Sequence, residues 1–140
     1  ENEIQKKVHN SLEEVDMAGT EDLMPAELSG GMKKRVGIAR AIAIKPAYLF
    51  YDEPTTGLDP VMTDSINRLI CKFQSTEKVT SVIITHEMRT VYDVADRVIL
   101  LHDGKIRFDG NPNDIKNVDD PVVQQFITGN STLALKGDVL

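Results

Sequence analysis

Tyr48-Leu49-Phe50-Tyr51-Asp52-Glu53 runs straight into Pro54-Thr55-Thr56-Gly57-Leu58-Asp59, and this stretch decides the fold. An apolar run of strand length, beginning at Ala47, ends on two adjacent carboxylates. Turn residues follow, and then Asp59-Pro60, which reads as a helix N-cap with proline at the first helical position. That helix carries Met62, Ile66, Leu69 and Phe73 on one stripe. Residues 79–85, rich in β-branched side chains, predict a second strand. Strand, helix and strand in succession predict a parallel α/β sheet layered by helices. Both runs read as strands buried on both faces.

Upstream lies Leu28-Ser29-Gly30-Gly31-Met32. Ser29 is a good N-cap, and the helix it opens places Met32, Val36, Ala39 and Ala43 on one face before Pro46 ends it. Residues 2–17 carry Ile4, Val8, Leu12 and Val15 at helical spacing, predicting an amphipathic helix, with a loop at 18–28. Downstream, a short helix is expected to turn Met88, Val91 and Ala95 inward. Residues 98–101 and 105–108 flank Asp103-Gly104, a strong hairpin signal. Two short helices are expected near 112–117 and 121–128. The end of the chain shows no periodicity and is expected to be disordered over 130–140. No internal repeat is visible.

Composition sets bounds on function. The 140 residues are 41% hydrophobic and 27% charged, with a formal net charge of −6. That is ordinary for a globular domain and argues against a general nucleic-acid binder, which shows a basic face. The single cysteine, Cys71, excludes an internal disulfide framework and fits a reducing compartment. It falls in the third predicted helix and reads as packing. No apolar run approaches the ~20 residues that cross a bilayer, and no signal peptide is visible at Glu1.

The chemistry centres on Asp52-Glu53. Carboxylates at the carboxyl end of a buried strand stand where α/β folds place ligands. One can hold Mg²⁺ through water, since Mg²⁺ keeps much of its hydration shell; the next, just past the strand, can orient a nucleophilic water. The alternative is a solvated acidic pair opening a loop. Ser29-Gly30-Gly31 offers backbone N–H groups at a helix start, where the dipole favours an anion such as a phosphate. The alternative there is an ordinary serine-capped helix. His86 directly follows the second strand and can contact a phosphate, or be a polar loop residue. His9 and His102 read as surface histidines, and Lys33-Lys34-Arg35 as a solvated helix face.

Together these motifs, in order and spacing, resemble the nucleotide-binding subunit of ABC transporters, from the first helix to about Gly129. The resemblance implies a partial P-loop NTPase sheet with flanking helices that lacks the N-terminal half of the fold. It divides the chain into the end of a helical subdomain (1–28), the C-terminal part of a RecA-like ATPase core (29–129) and a tail (130–140). It makes Leu28 to Met32 the signature loop, with Ser29, Gly30 and Gly31 binding the γ-phosphate of ATP held by an opposite subunit. It makes Asp52 the Mg²⁺-associated Walker B aspartate, Glu53 the general base, His86 the switch histidine, and Asp59 part of the D-loop at a dimer interface. The implied cofactors are ATP and Mg²⁺. The implied partners are a second ATPase subunit, head to tail, and transmembrane permease subunits, at the cytoplasmic face of a bacterial inner membrane, with no nucleic acid.

The sequence departs from the family pattern twice. Met32 stands where the signature ends in Gln, which removes one arm of a capping box. This variant, with Asp120-Pro121-Val122-Val123-Gln124-Gln125-Phe126-Ile127, is similar to the ATPases of Mla-type, Mce-associated phospholipid transporters. No Gly-x-x-x-x-Gly-Lys-Ser/Thr occurs in the sequence, so the loop that cradles the β- and γ-phosphates is missing. The expectation is a C-terminal fragment of a longer subunit. Two other classes compete. One is a DNA-repair or chromosome-maintenance ATPase whose halves are split by a coiled coil. The other is a non-catalytic module that keeps the fold.

Overall fold

The computed structural model describes residues 2–130. The described chain forms two compact units, 2–87 and 88–130, each treated by itself.

The first unit opens with α1 (Asn2–Glu14). It stops short of the sequence expectation because Asp16 adopts a left-handed φ of 56°, and the turn after it buries Val15 and Met17. The predicted loop at 18–28 includes a 3-10 turn, Pro25–Glu27, where the Glu27 carboxylate accepts from the Met24 N–H at 2.7 Å. Helix α2 (Gly30–Ile42) starts at the Ser29 cap and ends with Ala43 as C-cap. Its buried face includes Ile38 and Ala39, with Gly31 at its start; Ile38 is a core position that the expected stripe misses.

Strand β1 (Tyr48–Asp52) pairs in parallel with β2 (Thr80–Ile84), Asp52 standing opposite Ile84. Between them runs α3 (Pro60–Thr76), capped by Asp59, whose carboxylate accepts from the Val61 and Met62 N–H groups. Ile66, Ile70 and Phe73 on α3 are fully buried, alongside Leu49 and Tyr51 of β1. Helix α1 packs on α2, α2 on α3, and α3 on β2. One expectation fails here. The strands are buried on one face only: Leu49 and Tyr51 point inward, while Tyr48, Phe50, Val82 and Ile84 are exposed. A parallel sheet ordinarily has helices on both faces; in the first unit the described residues supply them on one.

The second unit holds α4 (Met88–Val94), the antiparallel pair β3 (Val98–His102) and β4 (Lys105–Gly110), a 3-10 turn at Asp114–Asn117 and α5 (Pro121–Thr128). The Asp103-Gly104 hairpin forms as expected, both residues taking the positive φ that a tight hairpin turn demands. Its core is Leu100, Ile115 and Val123, with Met88, Tyr92, Val98, Phe108, Val118 and Ile127 packed around it. The buried face of α4 is Thr90 and Val94 rather than Val91 and Ala95. Asp120 caps α5 and pairs with Arg107. Apart from Asn130, the expectation for 130–140 lies outside the described residues.

Candidate functional site

Parallel pairing brings two chain segments to one place. β1 and β2 run the same way, so both carboxyl ends lie at one edge of the sheet, with Glu53 following one strand and Thr85-His86 the other. The ladder extends one step past β1, the Glu53 N–H donating to the Ile84 carbonyl at 2.9 Å. Glu53 then turns left-handed, φ 49°, an uncommon conformation for a side chain with a Cβ. The strict alternation of strand side chains therefore ends at Asp52.

Glu53 is the hub of the site. Its Oε1 lies 2.7 Å from His86 Nδ1. Its Oε2 accepts from the Thr56 hydroxyl at 2.8 Å and more weakly from the Thr85 hydroxyl at 3.4 Å. Its main-chain carbonyl accepts from Lys34 Nζ at 2.7 Å. The hydrogen bond to His86 is the main cause holding the Glu53 carboxyl below the usual glutamate range, and the Thr56 bond is next. The same hydrogen bond, with the charge of Glu53 behind it, raises His86 above the ordinary histidine value. Glu53 is therefore ionised at neutral pH.

The Thr55 hydroxyl, fully buried, donates to the Glu87 carboxylate. The Glu87 N–H in turn donates to Thr85 Oγ1 at 3.0 Å. The two loops that leave the sheet are thus laced together by Thr55 on Glu87 and by Thr85 on Glu53, while Thr56 holds Glu53 within its own loop. Sequence reasoning placed Thr56 only in the loop that leads to Asp59 and gave Thr55, Thr85 and Glu87 no role; their only signal was their place within three residues of a strand end.

Asp52 is exposed on the open sheet face, and its carboxylate has no hydrogen-bond or ion-pair partner among the described residues. No cluster of three metal-ligating side chains occurs among the described residues. A single unengaged carboxylate fits Mg²⁺ held mostly by water and phosphate, and does not fit a metal caged by protein alone.

At the start of α2, Ser29 Oγ accepts from the Met32 N–H at 3.3 Å, so the missing Gln does not cost the serine cap. The N–H groups of Gly30 and Gly31 remain without an intrahelical partner. The two glycines differ in surroundings. A Cβ on Gly30 would meet nothing within 4 Å; on Gly31 it would lie 2.1 Å from Met62 Cε of α3. Gly31 thus lies against the helix that Asp59 caps. Through one oxygen Asp59 accepts from Val61 and Met62 at 2.9 and 3.0 Å.

Lys33-Lys34-Arg35 is not a solvated face beyond Lys33. Lys34 reaches Glu53. Arg35, with its side chain only 14% exposed, donates to the Val15 carbonyl, to Asp16 at 2.9 Å and to the Ser65 hydroxyl at 2.5 Å. Of the surface histidines, His9 pairs with Glu21 at 2.7 Å and His102 with Asp103 at 3.3 Å.

A parallel two-stranded sheet with its acidic strand end, capped glycine helix and flanking helices has the mixed α/β fold of an ABC ATPase over part of that fold's length. The family profile described as ABC transporter matches residues 1–56. The chain is 40% identical over 139 residues to a methionine import ATP-binding protein of Carboxydothermus hydrogenoformans, covering 99% of this chain and 41% of that protein. It is 38% identical over 146 residues to the chloroplastic protein trigalactosyldiacylglycerol 3 of Arabidopsis thaliana, covering 93% of this chain and 42% of that one. Among solved structures, cbiO1 of Clostridium perfringens, part of the ABC transporter complex cbiONQ, superposes with a TM-score of 0.76 at 30% identity, over 96% of this chain and 53% of that one. The dimeric post-hydrolysis state of the ATP-binding cassette MJ0796, bound to ADP and Pi, superposes with a TM-score of 0.69 at 29% identity, over 79% of this chain and 48% of that one. By sequence the chain matches ABC transporter ATP-binding subunits. It spans about half the length of the relatives and structures it matches.

Proposed function

We propose that this chain is the part of an ABC transporter ATPase subunit that carries the water-activating carboxylate and the signature helix. The observation that carries the reading is the placement of Glu53 and His86 at adjacent parallel strand ends, 2.7 Å apart, with Asp52 unengaged beside them. Glu53, kept ionised, orients the attacking water and takes up its proton. His86, hydrogen-bonded to Glu53 when no nucleotide is bound, turns to the γ-phosphate. Asp52 holds Mg²⁺, which neutralises charge on the β- and γ-phosphates when bound. The free N–H groups of Gly30 and Gly31, with Ser29, serve ATP bound by a second, head-to-tail subunit, and Asp59 lies at that dimer's interface. The division at 1–28 and 29–129 into helical and core subdomains goes with this reading.

The dimer and the bound ADP and Pi of the MJ0796 structure, and the transporter complex to which cbiO1 belongs, support a dimeric ATPase working with membrane permease subunits on the cytoplasmic side. Among the described residues no helix is long and apolar enough to cross a membrane. A lipid cargo is supported by Met32 in the signature and by the relative named for a galactolipid. The methionine import relative supports a small-metabolite cargo.

The test is magnesium-dependent ATP hydrolysis by the longer protein containing this chain. Glu53→Gln lowers its kcat about a hundredfold or more, while the 140-residue chain alone, with no Gly-x-x-x-x-Gly-Lys-Ser/Thr in its sequence, shows no turnover. Undiminished turnover in Glu53→Gln overturns the role of Glu53. Magnesium-dependent turnover by the 140-residue chain, lost in Glu53→Gln, overturns its incompleteness.

A further inference from the structure

We propose that Lys34 is a positioning residue that clamps the main chain of Glu53 to α2, so that the signature helix sets where the water-activating carboxylate stands. The positioning role rests on the reading of Glu53 given above; the clamp itself rests on geometry.

Glu53 is held by two separable sets of contacts. His86, Thr56 and Thr85 hold its side chain. Its main chain is pinned from both sides, the N–H on the Ile84 carbonyl of β2 at 2.9 Å and the carbonyl by Lys34 Nζ of α2 at 2.7 Å. Such pinning matters because Glu53 sits at φ 49°, a conformation that persists only where its surroundings over-determine it. Lys34 is half-buried, and the bond it makes is charge-assisted. The helix that offers it is itself fixed one residue later, since Arg35 ties α2 to the turn at 15–16 and to Ser65 of α3. Displacement of the α2 start, where Gly30 is exposed and Gly31 lies against Met62, is therefore transmitted to Glu53 through one ammonium group.

The experiment is residue-resolved amide hydrogen exchange on the 140-residue chain without nucleotide. In Lys34→Met the Glu53 amide exchanges about tenfold faster, while the amides of Ile70 and Phe73 in the core of α3 keep their wild-type rates. Lys34→Arg preserves the Glu53 protection, and Lys33→Met, one residue away on the exposed face, leaves it unchanged. An unchanged Glu53 rate in Lys34→Met overturns the clamp. Equal acceleration at Glu53, Ile70 and Phe73 overturns it too, since that marks general destabilisation. Should Lys34→Met not fold, Lys34→Gln, whose shorter side chain falls short of the carbonyl, is read by the same criteria. Failure of the clamp and failure of the ATPase reading remain distinct, because exchange needs no ATP. A protected Glu53 in a longer protein that hydrolyses nothing leaves the clamp standing and removes the reaction it would serve.

Discussion

The Glu53 carboxylate and the His86 imidazole, thirty-three positions apart, meet at 2.7 Å across the ends of two parallel strands. Each shifts the other in the direction of an ion pair. Glu53 is lowered from 4.5, first by the hydrogen bond to His86, and His86 is raised from 6.5, first by the hydrogen bond to Glu53. The His86 contribution to stability is complete below its unfolded value and lost as pH rises through the raised folded value. The Glu53 contribution is complete above its unfolded value and lost as pH falls through the lowered folded one. The pair therefore stabilises most between 4.5 and 6.5. A Glu53→Gln, His86→Gln double-mutant cycle on thermal unfolding should show its largest coupling in that window and lose it at both ends. A coupling flat in pH would contradict the ion pair. The effect is small, because His86 is exposed and surface pairs are screened.

Gly31 and Gly30 should respond in opposite senses to alanine. Gly31→Ala forces the Met62 tail aside, from 2.1 Å, and is expected to cost about 1 kcal/mol. Adding Met62→Ala should make the Gly31 substitution neutral within its own background. Gly30→Ala, facing open space, should be neutral or stabilising by a few tenths of a kcal/mol at most, about what helix propensity offers near a helix start. Chemical denaturation of the four variants checks all three statements.

Arg35 joins three segments through one guanidinium, and its removal leaves the buried-side Val15 carbonyl without that donor. Arg35→Met is expected to cost about 2–3 kcal/mol. Arg35→Lys should recover less than half of it, because a point ammonium cannot span the three acceptors that the planar fork reaches. Equal stability of the Lys variant and wild type would show that charge alone matters.

The open face of the β1–β2 sheet should make the 140-residue chain associate with itself. Phe50 is 73% and Ile84 57% exposed on that face, and apolar sheet surface of this kind drives association. Static light scattering should report a mass that rises with concentration, and Phe50→Lys with Ile84→Lys should hold it at the monomer. A constant monomer mass in wild type across a wide concentration range removes the prediction.

Much of the local structure was legible in the chain. Asp59-Pro60 and Asp103-Gly104 carry their cap and turn within a few residues, and the structure realises both. The parallel strands followed from two β-rich runs separated by a helix. What failed were statements about faces. Val91 and Ala95 were placed inward on α4 where Thr90 and Val94 are buried, since a seven-residue helix fixes its phase poorly. Tyr48 and Phe50 were read as buried because an apolar side chain does not reveal what covers it.

The sequence by itself determined that Glu53 and His86 each stand at a strand end, and that Ser29 opens a glycine-led helix, because caps, turns and strand ends are set by neighbours in the chain. Only the tertiary structure decided that these groups act on one another. The hydrogen bond of His86 to Glu53, the reach of Lys34 to the Glu53 carbonyl and the reach of Arg35 to Ser65 link positions 19 to 33 residues apart. Such contacts depend on how helices and strands lie side by side, and a charged side chain read in sequence looks the same whether it ends in water or on a buried carbonyl.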